Sequence, residues 1–304
     1  MAPPPCEDSM TTETVDTRFD GLDGWSTLPA VEAMWDGQMS AVAAVRPALP
    51  AIAAAIEAAA AVLGDAGRLV YAGAGTSGRI GVQDGAELPP TFSWPRERVV
   101  FAMAGGMSAL VESIEGAEDD ANAGEAAMAA AKIGTNDVVI GIAASGTTLF
   151  TIAAIAAARQ AGAVSIAIAS NAGAPLLTAA AHKILVETGP EVLAGSTRMK
   201  AGTAHKVVLN LISTGIMIRL GRIYRGMMVE MRPTNVKLQR RAVAMVQRIV
   251  SCEAADAEVA LAASGGDIKI AALVALGQTP ADAAALLAHH AGNLRAAIAR
   301  ARPA

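Results

Sequence analysis

Three short stretches of this chain place hydroxyl and amide donors where an anion could be held. GAGTSGR, Gly73 to Arg79, follows the apolar run RLVYA and opens a helical pattern. At such a strand-to-helix turn, free N–H groups and the helix dipole favour negative charge, and Gly75, Thr76 and Ser77 are the donors. AASGTT follows DVVIGIA and brings Ser145, Gly146, Thr147 and Thr148 to a second helix start. One such turn is most simply an ordinary Ser/Thr cap. Two at the same edge of one sheet point instead to a compact phosphate. The third stretch, GSTRMKAGTAHK, sets Ser196, Thr197, Arg198 and Lys200 before a long helix, as a charge match to phosphate or else a solvated helix start.

Gly73, Gly75 and Gly78 also satisfy G-x-G-x-x-G, but the strand that follows ends Ala102-Met103-Ala104-Gly105. A dinucleotide site wants an acidic residue there for the ribose hydroxyls, so a nucleotide-dependent dehydrogenase is the weaker reading. Glu87 breaks a local rule: Pro89 and Pro90 are expected to end its helix, which would leave a carboxylate facing the negative end of the dipole. Such violations often mark function, although a surface glutamate pointing into water explains the sequence equally well. The run Glu115, Glu118, Asp119 and Asp120 precedes a helical segment, where acids stabilise an N-terminus without any catalytic duty. No His or Cys accompanies it, so no metal site is expected. His205 is the one histidine near a candidate turn, and most lone histidines are structural.

The elements that must position these turns follow from composition and pattern. Hydrophobic residues make up 53% of the 304, charged residues 17% and aromatics 3%, so the core is built from Ala, Val, Ile, Leu and Met, which suits helices packed on a parallel sheet. Two helices are expected over Leu28 to Val45 and Leu49 to Leu63. Five apolar runs then alternate with helical segments: RLVYAG, RVVFAMAGG, DVVIGIA, AVSIAIAS and HKILVETG. That alternation predicts parallel strands with right-handed crossovers and ligands at their carboxyl ends. Long helices follow over Ala201 to Leu220 and Thr234 to Ser251, and then three short helical patterns to the end. The expected organisation is a flexible tail over 1–20, a main domain over 21–250 and a small helical domain over 251–304.

A net charge of -4 without a basic run gives no field to attract nucleic acid or anionic lipid, and neither is expected as a partner. Cys6 and Cys252 form no C-x-x-C pair and the start is not signal-like, so the cytoplasm is the expected compartment. The uncharged stretch between Asp137 and Arg159 is long enough to span a bilayer, but SGTT interrupts it, and buried sheet and helix are expected there.

Together these segments resemble the sugar isomerase (SIS) family and, within it, the N-acetylmuramic acid 6-phosphate etherases. The strings that carry the resemblance are GAGTSGRIGVQDGAELPPTF, EGAEDD, VVIGIAASG, GSTRMKAGTAHKVVLNLISTGIMIRLG and TNVKL. The resemblance implies a three-layer αβα SIS domain with a parallel sheet, a small C-terminal helical domain, and a homodimer with sites near the subunit interface. It implies cleavage of the D-lactyl ether of N-acetylmuramic acid 6-phosphate, by elimination then water addition, with neither metal nor nucleotide cofactor. Glu87 in AELPPTF matches the family's acid/base glutamate, and Glu118, the second glutamate of EGAED, its partner carboxylate. The phosphate would fall to Thr76, Ser77, Ser145, Thr147 and Thr148. Relatives within the wider family leave two alternatives, a non-catalytic phosphosugar-binding regulator and a phosphosugar isomerase.

Overall fold

The computed structural model describes residues 10–112 and 114–301. Cys6 and the first part of the expected tail lie outside them. All five apolar runs are strands: β1 Leu69–Gly73, β2 Val99–Met103, β3 Val138–Ile142, β4 Val164–Ala169 and β5 His182–Leu185. They form one parallel sheet in the order β2-β1-β3-β4-β5. Ile140, Ile142, Ile166 and Ile168 are fully buried, as central parallel strands covered on both faces must be. Each such side chain contributes about 1.5–3 kcal/mol relative to exposure.

Alternation along the strands divides the helices between the two faces. Val70, Ala72, Val139 and Ala143 pack into one cluster with α4 (Ala121–Ala130), α5 (Leu149–Gln160) and α6 (Pro175–Ala179). On the opposite face Tyr71 and Ile142 meet α3 (Gly75–Phe92). A Cβ on Gly81 would stand 2.9 Å from Ile142 Cδ1, and one on Gly85 2.9 Å from Tyr71 Cε2. The smallness of those two residues sets how closely α3 lies on the sheet.

Ahead of the sheet run α1 (Thr27–Ala44) and α2 (Leu49–Leu63). The run Thr27–Leu63 is long and apolar enough, by length and composition, to cross a membrane. A 3-10 turn at Arg46–Ala48 divides it. The uncharged stretch after Asp137 is β3 and α5, as its SGTT interruption implied.

By their contacts the described residues up to Ala86, with Glu97–Ser213, form one compact unit, and Glu87–Arg96 with Thr214 onward form a second. The chain passes between them within α3, between Arg96 and Glu97, and within α7 (Lys200–Arg219). The second unit holds a short hairpin, β6 (Ile223–Tyr224) and β7 (Met227–Met228), followed by α8 (Val236–Val250). Among the described residues four helices succeed it rather than three: α9 (Ala254–Ala263), α10 (Ile268–Val274), α11 (Pro280–His289) and α12 (Leu294–Ala301). Side chains of Asn235, Asp267 and Thr279 cap α8, α10 and α11. Met245, Val246, Ile249, Leu273, Leu287 and Ile298 share its core.

Candidate functional site

Strand order decides where the site lies. β1 has β2 on one side and β3 on the other, and Gly73 pairs with both Met103 and Ile142. The chain leaves β1 and β3 side by side and level, at the point where the order reverses, and that is where open α/β sheets bind ligands. A cavity of about 850 Å³ opens there, lined by Ala74, Gly75, Thr76 and Ser77 from the first turn and Ser145, Thr147 and Thr148 from the second. That volume is ample for a phosphorylated sugar.

Gly75 takes φ +50, which admits few residues with a Cβ. The first ladder bond of α3 is Gly78 N–H to Ala74 O at 3.0 Å, so the N–H groups of Gly75, Thr76 and Ser77 stand ahead of it. Ser145 Oγ accepts from Thr147 N (3.2 Å) and from Thr147 Oγ1 (3.0 Å), which leaves its own proton to donate to a ligand. Thr148 occupies the N-cap of α5 without making a side-chain cap bond. Its hydroxyl is therefore not spent as an ordinary cap. Gly146 is buried behind these donors with φ +72, its Cα packed toward Ala174.

The N-terminal segment supplies lining that the sequence did not point to. Met10, Glu13, Thr14 and Val15 all border the cavity, and Met10 and Thr12 are buried. Asn171 ties this segment to the second turn: its Nδ2 donates to Ala144 O (3.1 Å), Ser145 O (3.4 Å) and Thr12 Oγ1 (3.1 Å), while its Oδ1 accepts from Thr11 Oγ1 (3.0 Å). Gly195 N–H donates to Thr12 O at 3.1 Å, joining the third turn to the same segment. Thr11 and Thr12, within the expected tail, are thus held by Asn171 and by the third turn. Nothing local in the sequence links this segment to Asn171.

Comparison with known proteins bears on what this cavity serves. Residues 51–159 match the model of the glucokinase regulatory protein N-terminal SIS domain. An N-acetylmuramic acid 6-phosphate etherase of Deinococcus radiodurans is 46% identical over 95% of each chain. One of Erwinia tasmaniensis is 46% identical over 95% of each, and one of Streptomyces coelicolor 44% identical over 97% of this chain and 95% of its own. The chain belongs to the N-acetylmuramic acid 6-phosphate etherase family.

In this etherase-family chain the two glutamates are placed differently. Glu118 sits in a 3-10 turn, Ala117–Asp119, exposed and in the lining of the cavity beside Asp119. Asp120, next along, caps α4 by accepting from Ala123 N at 2.9 Å, so the acidic run divides between cavity and cap. Glu87 is exposed on α3, is not among the residues lining the cavity, and counts with the second unit. Its helix does not end there: α3 continues through Pro89 and Pro90 to Phe92. Proline's fixed φ is helical, and the two rings remove only the bonds to the carbonyls of Gly85 and Ala86.

Of the third turn, Thr197 lines the cavity; Ser196 and Lys200 do not. Lys200 is buried, and its Nζ donates to Pro190 O at 2.7 Å. Burial lowers its pKa, against the opposing pull of Glu191. Glu191, fully buried, accepts from the N–H groups of Lys200 (2.8 Å) and Ala201 (2.9 Å) and so caps α7. His205 is also fully buried, with Nε2 3.0 Å from Ser170 Oγ, and desolvation lowers its pKa to about 4. It is a neutral core residue.

A buried carboxylate that the sequence did not single out braces this unit. Asp84 on α3 accepts from Tyr71 Oη on β1 (2.8 Å) and from Asn210 Nδ2 (2.8 Å) and Ser213 Oγ (3.1 Å) on α7. Desolvation raises its pKa although all three donors oppose the rise. Among the described residues no three His, Cys, Asp or Glu side chains gather as a metal site.

Proposed function

We propose that this protein cleaves the D-lactyl ether of N-acetylmuramic acid 6-phosphate, giving N-acetylglucosamine 6-phosphate and D-lactate in the recycling of cell-wall sugars. The observation that carries this is one cavity, at the ends of β1 and β3, lined by the hydroxyls of both turns and by Glu118. It occurs in a chain 46% identical to a named etherase over 95% of its length.

The amides of Gly75 to Ser77 and the hydroxyls of Thr76, Ser77, Ser145, Thr147 and Thr148 hold the phosphate, with Thr197 as the third turn's donor. Binding energy spent on that remote group positions the sugar. With the ring open, the C1 aldehyde acidifies the proton on C2 and serves as the electron sink. Glu118 removes that proton, and Glu87 protonates the lactyl oxygen as the C3–O bond breaks. Water then adds at C3 of the unsaturated aldehyde, giving up its proton to Glu87, and Glu118 returns a proton to C2. The net change is ether plus water to alcohol plus D-lactate, and no step requires a metal or a redox cofactor.

Two further points belong to the same proposal. Leu28, Val31, Trp35, Met39 and Val42 are exposed on α1 at helical spacing. So wide an apolar stripe on one face of a helix marks an interaction surface, and a second copy of the chain covers it in a homodimer. The reaction takes place in the cytoplasm, where the charge of a sugar phosphate keeps it from crossing the membrane.

The test is direct. Purified protein is incubated with N-acetylmuramic acid 6-phosphate and D-lactate is assayed enzymatically. Release of lactate, with the label of heavy-oxygen water entering at C3, is the expected result. Absence of lactate from the authentic substrate would sink the proposal.

A further inference from the structure

The segment that carries Glu87 is held by a chain of contacts running deep into the second unit. Pro89 and Pro90 deprive the last turns of α3 of two ladder bonds, so that helix end is weakly self-supporting. Arg222 compensates. Its Nη1 donates to Phe92 O at 2.8 Å and to Ser93 O at 3.4 Å, and its guanidinium carbon lies 5.0 Å over the ring of Trp94, which is almost wholly buried. Ser93 adopts φ 48, an uncommon conformation for a residue with a Cβ, and its Oγ donates to Glu230 O at 2.6 Å.

Behind Arg222 stands an ion pair whose lysine is buried and whose glutamate is partly exposed. Glu230 Oε1 pairs with the ammonium of Lys269 on α10, and Glu230 Oε2 lies 3.9 Å from Arg222 Nη1. Lys269 is only 5% exposed and also donates to Gly292 O at 2.8 Å, between α11 and α12. Apolar contacts would often serve stability as well as a partly desolvated pair, and a better-attested use of such pairs is to fix a geometry. A proton donor needs such fixing, because about 1 Å of misplacement can cost about a hundredfold in rate.

We propose that Arg222, backed by Glu230 and Lys269, is a positioning residue that sets the end of α3 and with it the carboxylate of Glu87. The C-terminal helices then have a role in the reaction without touching substrate. This rests on the etherase proposal with Glu87 as proton donor, and the experiment separates the two.

Arg222→Met, Arg222→Lys and Lys269→Met are made in the full chain and assayed with N-acetylmuramic acid 6-phosphate in heavy water. Lactate release, deuterium entering C2 of the unreacted substrate, and thermal unfolding are followed. A misplaced proton donor slows C–O cleavage while C2 is still deprotonated. For Arg222→Met, kcat for lactate release is expected to fall roughly a hundredfold with KM within about threefold. Deuterium at C2 per lactate released should rise, and Arg222→Lys should recover at least about tenfold of the loss. Lactate release and C2 exchange falling in parallel, an unchanged kcat, or a loss confined to KM would each overturn the positioning role. Should Arg222→Met not fold, Arg222→Lys and Lys269→Met must show the same rise in exchange per lactate, or the idea fails. A wild-type protein that releases no lactate removes the etherase proposal and this one with it. An active wild type with equally active variants removes the positioning role alone.

Discussion

Ser145→Ala tests the proposed role of Ser145 as a phosphate donor. Ser145 Oγ already accepts two hydrogen bonds from Thr147, so its remaining function in the cavity is to donate, and a bond to a charged acceptor is worth about 1.5–3 kcal/mol. At 1.4 kcal/mol per decade, its loss should weaken binding of N-acetylglucosamine 6-phosphate by roughly 10- to 150-fold. The variant also leaves the N–H and hydroxyl of Thr147 without their acceptor, which loosens the turn. That second effect acts on any ligand. Isothermal titration with the phosphorylated product and with unphosphorylated N-acetylglucosamine, for wild type and variant, separates the two. The expected result is a large loss for the phosphate ester and little or none for the free sugar. Equal losses for both ligands, or none for either, would refute the assignment of the second turn to the phosphate.

His205 supplies a pH dependence. Its folded pKa is about 4 against 6.5 for an ordinary histidine, so its stabilising effect is full above pH 6.5 and shrinks as pH falls toward 4. The whole effect is about 3 kcal/mol, and urea unfolding at pH 5 should show about 2 kcal/mol less stability from this source than at pH 7.5, a difference that His205→Gln removes. Asp84→Ala orphans the buried donors of Tyr71, Asn210 and Ser213 and should cost about 3 kcal/mol in denaturant unfolding, with Asp84→Asn costing less. Glu118→Gln should abolish deuterium exchange at C2, whereas Glu87→Gln should stop lactate release with exchange retained; mass spectrometry of recovered substrate checks both. Trp35→Glu sets a charge in the apolar stripe of α1 and should convert a dimer to monomers in analytical ultracentrifugation. A wild-type monomer would remove the homodimer from the proposal.

The sequence by itself determined the elements and the chemistry available to them. The five strands are legible because parallel strands buried on both faces must be continuous apolar runs, and the two hydroxyl-rich turns because two of them at one sheet edge exceed what helix capping requires. The place of Glu118 in the cavity lining was legible only through the motif around it, since an acidic run before a helix is ordinary, and Asp120 does serve as an ordinary cap. Local rules misjudged α3, whose prolines are tolerated because each forfeits one bond while the helix is held from outside, as Arg222 does at Phe92. Only the tertiary structure decided that β1 lies beside β3, bringing two turns almost seventy residues apart to one cavity. It alone joined Thr12 to Asn171 and enclosed Asp84 and His205. Such pairings depend on which distant surfaces come together to bury apolar area, and residues far apart in the chain carry no local signal of the partner they will meet.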